Sequence, residues 1–463
     1  MSIEDAIAKI DLLLEENAKL RAKVEELEAR LKANSSNSSK PPSSDGFGKP
    51  SNEKRSLRKR SGKKPGGQAG HPGGTLARKA TPDIVERHFP EVCEHCGAVH
   101  GADAEMKALE TRQVLDLPEP RPLVAADHVG YGTRCAHCGK LSRAAFPDDV
   151  KAPAQYGPGL RGLVENLGCK QMLPAARIVE LLHDLYGAEL STGTVVNIID
   201  AGARELRGWL EEVRVELRQA LDLHADETGL CVNGVLHWLH NASTERITLQ
   251  YVHGKRGKEG MDAGGVLPLF KHRLSHDYLS GYAQCEDCSH NPCRAHLWRE
   301  IVGAKELYRQ KWASEMEEVF VSMKSAYDKA NAKGKRSVCP LDILIISDAY
   351  DLALFHAFQE SPEQEGRKQT KPCNLARRLR DGKAAILSVL YDTSIPFTNN
   401  LAERDQRMVK VKEKVSGGFR SERMAQAFAA FRSYISTASK NAVKTLDALK
   451  LLHSGKPFMP LRT

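Results

Sequence analysis

A multidomain α/β protein is what this sequence predicts, and three observations predict it. The chain is 463 residues long, more than one hydrophobic core ordinarily serves. Its texture changes abruptly from heptads to a polar tract, then to cysteine knuckles and helical periodicity. From Leu221 onward, alternating and β-branched segments replace the helical ones before helix returns.

The first element is expected over residues 1–33. Ile3, Ile10, Asn17, Val24 and Leu31 share one heptad position, and Ala6, Leu13, Leu20 and Leu27 share the other. A β-branched or polar row facing a Leu-rich row favours a parallel two-stranded coiled coil, with Asn17 fixing its register. The alternative is one amphipathic helix docked on its own protein. Residues 34–80 follow, rich in Ser, Asn, Pro, Gly, Lys and Arg. With almost no large apolar side chain, little offsets their ordering entropy, so a flexible basic tether is expected. Lys and Arg number 68 against 59 Asp and Glu, a net charge of +9, concentrated in the run KRSLRKRSGKK at 54–64. That run suits phosphate contacts along DNA, or serves only as a solubilising linker.

Residues 81–150 carry Cys93-Glu-His-Cys96-Gly and Cys135-Ala-His-Cys138-Gly. Each C-x2-C turn presents two thiolates to one side of a tetrahedral ion, and the following Gly permits the tight turn. With RQVLDLP and PLVAADHVGYGTRC read as short strands, a zinc-ribbon-like module with structural Zn2+ is expected. Seven of the eleven cysteines are clustered in this way or at 285–293, which in a reducing compartment reads as metal ligation before disulfides. No apolar run of about eighteen residues occurs, mean hydropathy is −0.44, and the N-terminus has no secretory pattern. A soluble, intracellular protein is therefore expected.

Residues 151–215 read as three helices punctuated by Pro174, Gly187 and Ser191-Thr192, a pattern shared by helix-turn-helix domains and by any helical bundle. Then LDLHADETGLCVNGVLHWLHNAS and ITLQYVHGKRG read as three strands, with Gly229 and Asn233-Gly234 at the corners. Asp226 falls in the first of these strands. Asp277 follows the apolar stretch GVLPLFKHRLSH. Glu403 sits on a helix that Asn399 or Asn400 can cap, sharing a face with Arg407. With 59 acids available, composition selects none of them.

The selection comes from resemblance. ADETGLCVNGVLHWLHNAS, LSHDYLSGY, CRAHLWREI, NNLAERDQRMVKVKEKVSGGFRS, SYISTASKN and PFMP resemble the insertion-sequence-66 family of bacterial transposases. The coiled coil, the NSSNSSKPPSSD tract, the GHPGG tether and the paired knuckles resemble that family too. The resemblance implies an RNase-H-like (retroviral-integrase-like) catalytic core over 216–296 and 391–440, a helical insertion over 297–390 and a tail over 441–463. It places a DDE triad on Asp226, Asp277 and Glu403, holding two Mg2+ or Mn2+ ions for hydrolysis at transposon ends and strand transfer. The implied partners are transposon-end and target DNA, a second copy of the chain and accessory proteins of the same element, in a bacterial cytoplasm at the nucleoid. Two departures stand out: Thr398 occupies a place where the family often has Asp, and the segment before Cys293 is unusually rich in Cys.

Other assignments stay open at this level. Asp348, ending the strand-like LDILIISD, rivals Asp277 as second acid. Cys285, Cys288, Cys293 and His296 have spacing for a second zinc, with His290 as an alternative ligand, or they simply pack near the site. Lys255, Arg256, Arg404, Arg407, Lys410, Lys412 and Lys414 are candidate phosphate contacts, or a solvated basic face. A DNA-binding regulator with structural carboxylates and a nuclease that cleaves without joining are the competing classes.

Overall fold

The computed structural model describes residues 3–38, 57, 66, 68, 70–71, 74, 76–147, 149–366 and 368–460. They fall into two compact units, residues 58–122 and the remainder of the chain. Most of the expected tether and nearly all of the basic run 54–64 lie outside the described residues.

In the larger unit, helix α1 (Ile3–Lys32) runs unbroken for 30 residues. Its heptad residues Ile10, Leu13, Leu20, Val24, Leu27 and Leu31 are all exposed, as is Asn17. In the smaller unit, Val92 and Val99 form an antiparallel bridge around the first knuckle. The strand expected in RQVLDLP is absent. Val114 and Leu117 are 86% and 88% exposed, so their alternation has no sheet to bury against. The second knuckle, in the larger unit, lies between the short antiparallel strands β1 (Gly132–Arg134) and β2 (Leu141–Arg143).

Four helices follow: α2 (Pro158–Glu165), continued by a π-helical turn at Asn166–Lys170, then α3 (Ala175–Tyr186), α4 (Thr192–Glu205) and α5 (Arg207–Gln219). Ser191 caps α4, its hydroxyl accepting from the Thr194 N–H at 3.0 Å, which offsets one of the donors a helix start leaves orphaned. Helix α4 buries Val195, Ile198 and Ile199, and these share one core with the sheet that follows.

That sheet contains β3 (Asp222–Val232), β4 (Val235–Ser243), β5 (Thr248–His253), β6 (Arg273–His276) and β7 (Ser289–Pro292). Its strand order is β5-β4-β3-β6-β7. The first three strands form an antiparallel meander, while β6 runs parallel to β3 and to β7. Asn233 and Gly234, with φ of 48° and 78°, make the two-residue hairpin turn that Asn-Gly predicts. Gly229 is not a corner. It lies within β3 opposite Trp238, where a Cβ would come within 3.0 Å of Leu236 Cδ1. Helix α6 (Lys258–Ala263) follows β5.

Between β7 and the last helices lie α7 (Arg294–Tyr308), α8 (Trp312–Ala332), α9 (Pro340–Glu360), α10 (Lys371–Asp381) and α11 (Lys383–Tyr391). They bury a second core that includes Trp312, Phe320, Tyr350, Leu379 and Leu390. LDILIISDAYDLALF is the body of α9, not a strand. Pro340 opens that helix at a position where its missing N–H costs nothing, and Asp348 is exposed on it rather than at the end of a strand.

The chain then returns to the sheet through α12 (Asn400–Ser416), α13 (Glu422–Lys440) and α14 (Thr445–His453). Helix α13 seals the edge of β5. Thr437 Oγ1, Ser433 Oγ and Gln426 Oε1 accept from the N–H groups of Thr248, Gln250 and Val252 at 3.0, 2.7 and 3.2 Å, so the outward donors of that edge strand are satisfied. The expected tail contains α14, whose buried His453 bridges Glu165 and Glu205 at 2.7 and 2.8 Å. Among the described residues no helix is long and apolar enough to cross a membrane.

Candidate active site

Strand β3 is the central strand, and Asp226 lies half-buried at its middle. Strand β6 pairs with it in the register Asp222↔Arg273, Leu223↔Leu274, His224↔Ser275. The same offset carried on sets Asp277, just past the end of β6, level with Asp226 on the adjoining strand. Neighbouring strands are about 4.8 Å apart, so the two carboxylates are electrostatic neighbours.

Glu403 arrives from α12. Asn399 precedes that helix and is fully buried. Its side chain does not cap the helix. Instead its Nδ2 donates to the Ala225 carbonyl at 2.8 Å, and its Oδ1 meets His224 Nδ1 at 2.9 Å. The start of α12 is thereby tied to the residues immediately before Asp226, with Glu403 in the first helical turn. Lower down, Lys440 Nζ pairs with Asp405 at 2.7 Å, both side chains largely buried, locking α12 to α13.

The electrostatics record this convergence. Burial, then the charge of Asp277, then those of Glu227 and Glu403, push the Asp226 carboxyl well above the usual carboxylate range, with His296 acting the other way. Glu403 Oε1 is shut off from solvent without a hydrogen-bond partner. It lies 3.7 Å from His296 Nδ1 and 3.8 Å from Arg299 Nη2. Carboxylate oxygens are the ligands hard divalent cations prefer, but among the described residues Asp226, Asp277 and Glu403 do not form a group whose ligand atoms all lie within 4.8 Å of one another.

Four supporting residues escaped sequence reasoning. Glu227, beside Asp226, is buried. It accepts from Arg256 Nε at 2.9 Å and from the Tyr282 hydroxyl at 2.8 Å, while burial and Asp277 push its carboxyl up to about 7. His276 stacks on Tyr282 at 4.8 Å. Its Nδ1 accepts from the Tyr278 N–H, so its proton sits on Nε2, facing His290 Nδ1 at 3.0 Å. Tyr278 follows Asp277 in left-handed backbone, φ 74°, a conformation costing roughly 1–3 kcal/mol for a non-Gly residue. That turn is held by the Tyr278 hydroxyl on the Arg378 carbonyl at 3.2 Å. Arg294 is fully buried and donates to Asn291 Oδ1 and to the carbonyls of Ile386 and Ala385 at 2.7–2.8 Å, fastening α7 and α11 to β7. A polar residue inside a buried strand was the available signal for Glu227. Nothing local marks the other three.

Of the remaining candidates, Cys293 and His296 join Glu403, with ligand atoms all within 4.8 Å of one another. Cys285 and Cys288 do not join them: the Cys288 thiol donates to the Cys285 carbonyl at 3.1 Å, and both side chains pack against the sheet's core. Each N-terminal knuckle is a closed turn. The N–H groups of His95 and Cys96 hold the Cys93 thiol below its ordinary value, and those of Cys138 and His137 do so for Cys135. Gly97 and Gly139 take the positive φ these turns need. Among the basic residues, Lys255, Arg404, Arg407 and Lys414 are exposed. Arg256 is engaged by Glu227 and by the Trp238 ring at 4.8 Å. Lys410 is held by the Gly229 carbonyl and Glu413, and Lys412 by Ser416 and the Phe419 ring. These three cations are bound within the protein.

Comparison with known families gives the class first: residues 153–427, more than half of the chain, match a transposase family model, described as "Transposase IS66 family". The chain belongs to the insertion-sequence-66 transposase family. Residues 1–77 match a second model, described as a family of unknown function (DUF6444). No curated protein was found to match the chain. Membership of this family implies DNA substrates and the use of divalent metal.

Proposed function

We propose that this chain is the transposase of a bacterial insertion sequence, built on an RNase-H-like core, that hydrolyses phosphodiester bonds at transposon ends and joins the freed 3′-hydroxyls to target DNA. The observation that supports this reading is the electrostatic crowding of Asp226 on the central strand by Asp277, which directly follows the parallel neighbour β6, and by Glu403 on the first turn of the returning helix. The strand order, with three antiparallel strands followed by two parallel ones, supports the RNase-H-like assignment.

Asp226, Asp277 and Glu403 would hold two Mg2+ or Mn2+ ions. When bound, such a pair activates the attacking oxygen and stabilises the departing one. The protein's own part is positional: Asn399 fixes Glu403 against β3, Tyr278 turns the chain away directly after Asp277, and the Glu227–Arg256 pair buttresses the strand behind Asp226. Exposed Lys255, Arg404, Arg407 and Lys414 are placed to meet phosphates. Zinc on the knuckles, DNA contact by α4, pairing through α1, help from accessory proteins of the same element and residence in the cytoplasm at the nucleoid complete the reading.

The test is a strand-transfer assay with a pre-cut transposon end bearing a free 3′-hydroxyl. Joining is expected to need Mg2+ or Mn2+ and to fall by several orders of magnitude in Asp226→Asn, Asp277→Asn and Glu403→Gln, with end binding retained. Joining that survives any of these substitutions would overturn the triad.

A further inference from the structure

We propose that Cys293, His296 and Glu403 form a site for one thiophilic divalent cation of the zinc class, sharing Glu403 with the hard-cation pair. The sharing rests on the triad described above; the site itself does not.

Cys293 immediately precedes α7, and His296 is three residues on, a spacing that puts both on one helix face. Glu403 reaches the same point from α12. Cys293 is 2% exposed. His296 Nδ1 and Glu403 Oε1 are both closed to solvent and lack hydrogen-bond partners. At 3.7 Å they are too far apart to bond to each other. A tetrahedral ion with bonds of about 2.0–2.3 Å holds its ligand atoms roughly 3.3–3.7 Å apart, which the 4.8 Å envelope of this trio reaches with small side-chain rotations. The Asn399 N–H donates to Cys293 Sγ at 3.2 Å, the kind of outer contact that orients a thiolate ligand.

The donor set decides the ion. Thiolate and imidazole favour zinc, cobalt and their neighbours, whereas magnesium takes oxygen ligands. Three protein ligands leave a fourth position for water or a DNA oxygen. Arg299, the present counter-charge to Glu403 at 3.8 Å, must swing aside on a long, flexible stem. An ion bound here takes up the oxygen that Glu403 would offer to the hard pair, so micromolar zinc is expected to inhibit the magnesium-dependent reaction.

Cobalt(II) titration of the full chain, read by thiolate-to-metal charge-transfer absorption, tests the site. The unaltered chain should bind one equivalent more than Cys293→Ser or His296→Gln, or the affinity of that equivalent should fall by at least the 10–100-fold that loss of even an outer-shell partner costs. Cys285→Ser and Cys288→Ser should keep it. Asp226→Asn should also keep it, which separates this site from the triad: joining lost with the equivalent retained leaves the proposal standing. Equal cobalt binding by the unaltered chain, Cys293→Ser and His296→Gln overturns it, as does loss of the same equivalent in Cys285→Ser. Thermal midpoints of the metal-free variants guard against misfolding, and His296→Gln decides should Cys293→Ser fail to fold.

Discussion

Asp226 is crowded by like charge, and that crowding has a thermodynamic consequence. A carboxyl whose folded pKa is raised binds its proton more tightly in the folded chain, so stability falls as pH rises from the ordinary carboxylate range through the raised value. Asp226→Asn removes that loss. The metal-free thermal midpoint near pH 7.5 is expected to rise, each kcal/mol regained being worth roughly 2–4 °C in a domain of about 150–250 residues and less in a larger one. Mg2+ at about 100 times its dissociation constant should stabilise the unaltered chain by about 2.7 kcal/mol and the variant far less. Calorimetry checks both, and a lower metal-free midpoint in the variant would contradict the crowding. At this scale little was legible from the residues alone. The three acids were picked out by resemblance, Asn399 was read as a helix cap, and Tyr278 was not singled out, because their roles depend on a backbone conformation and on partners more than 90 residues away.

Among the elements, the clasp between α2, α4 and α14 is the one most sensitive to pH. Burial pushes the Glu165 carboxyl up to about 7. Burial opposes charge on His453, but its bonds to Glu165 and Glu205 outweigh that and raise its pKa. Both shifts have the same sign. Glu165 loses its stabilising contribution as pH climbs from about 4.5 to 7, and His453 loses its own as pH passes its raised value. Glu205 is held low by Arg161 and His453 despite burial, so it stays charged throughout and does not reverse the trend. Because buried His224, His240 and His276 are held below their ordinary value and act with the opposite sign, the clasp is read by difference: His453→Gln should lose less stability than the unaltered chain as pH rises above about 5. Parallel pH profiles of the two thermal midpoints would show the clasp has been misread. Elements with a strong local signature were legible: the heptad helix, the Asn-Gly hairpin and the helix break at Ser191-Thr192. Helix α9 was not, because a β-branched run looks the same in a buried strand and in a helix, and only its length and Pro340 speak for the helix. The RQVLDLP segment failed for the opposite reason, since alternation makes a strand only where another strand accepts it.

At the scale of the whole molecule, α1 exposes a stripe of Ile, Leu and Val that one copy of the chain leaves uncovered. Coiled-coil pairing is the expected remedy. Leu13→Lys with Leu20→Lys should convert a dimer into a monomer in sedimentation velocity at micromolar concentration, leaving the far-UV spectrum of the rest of the chain little changed. An unaltered chain that sediments as a monomer would leave α1 with another role. The order of helical and strand-bearing regions could be read from the chain, whereas the sharing of one core by α2–α5, the sheet and α14 could not, because periodicity marks an apolar face without naming what covers it.

Arg294 sits at the neck of the helical insertion, reaching from the first turn of α7 to the carbonyls of α11 near its exit. A stem pinched in this way isolates the geometry above it from whatever hangs below. Changes in the far helices α8, α9 and α10 are therefore expected to leave the start of α12, and Glu403 with it, where Asn399 ties it to β3.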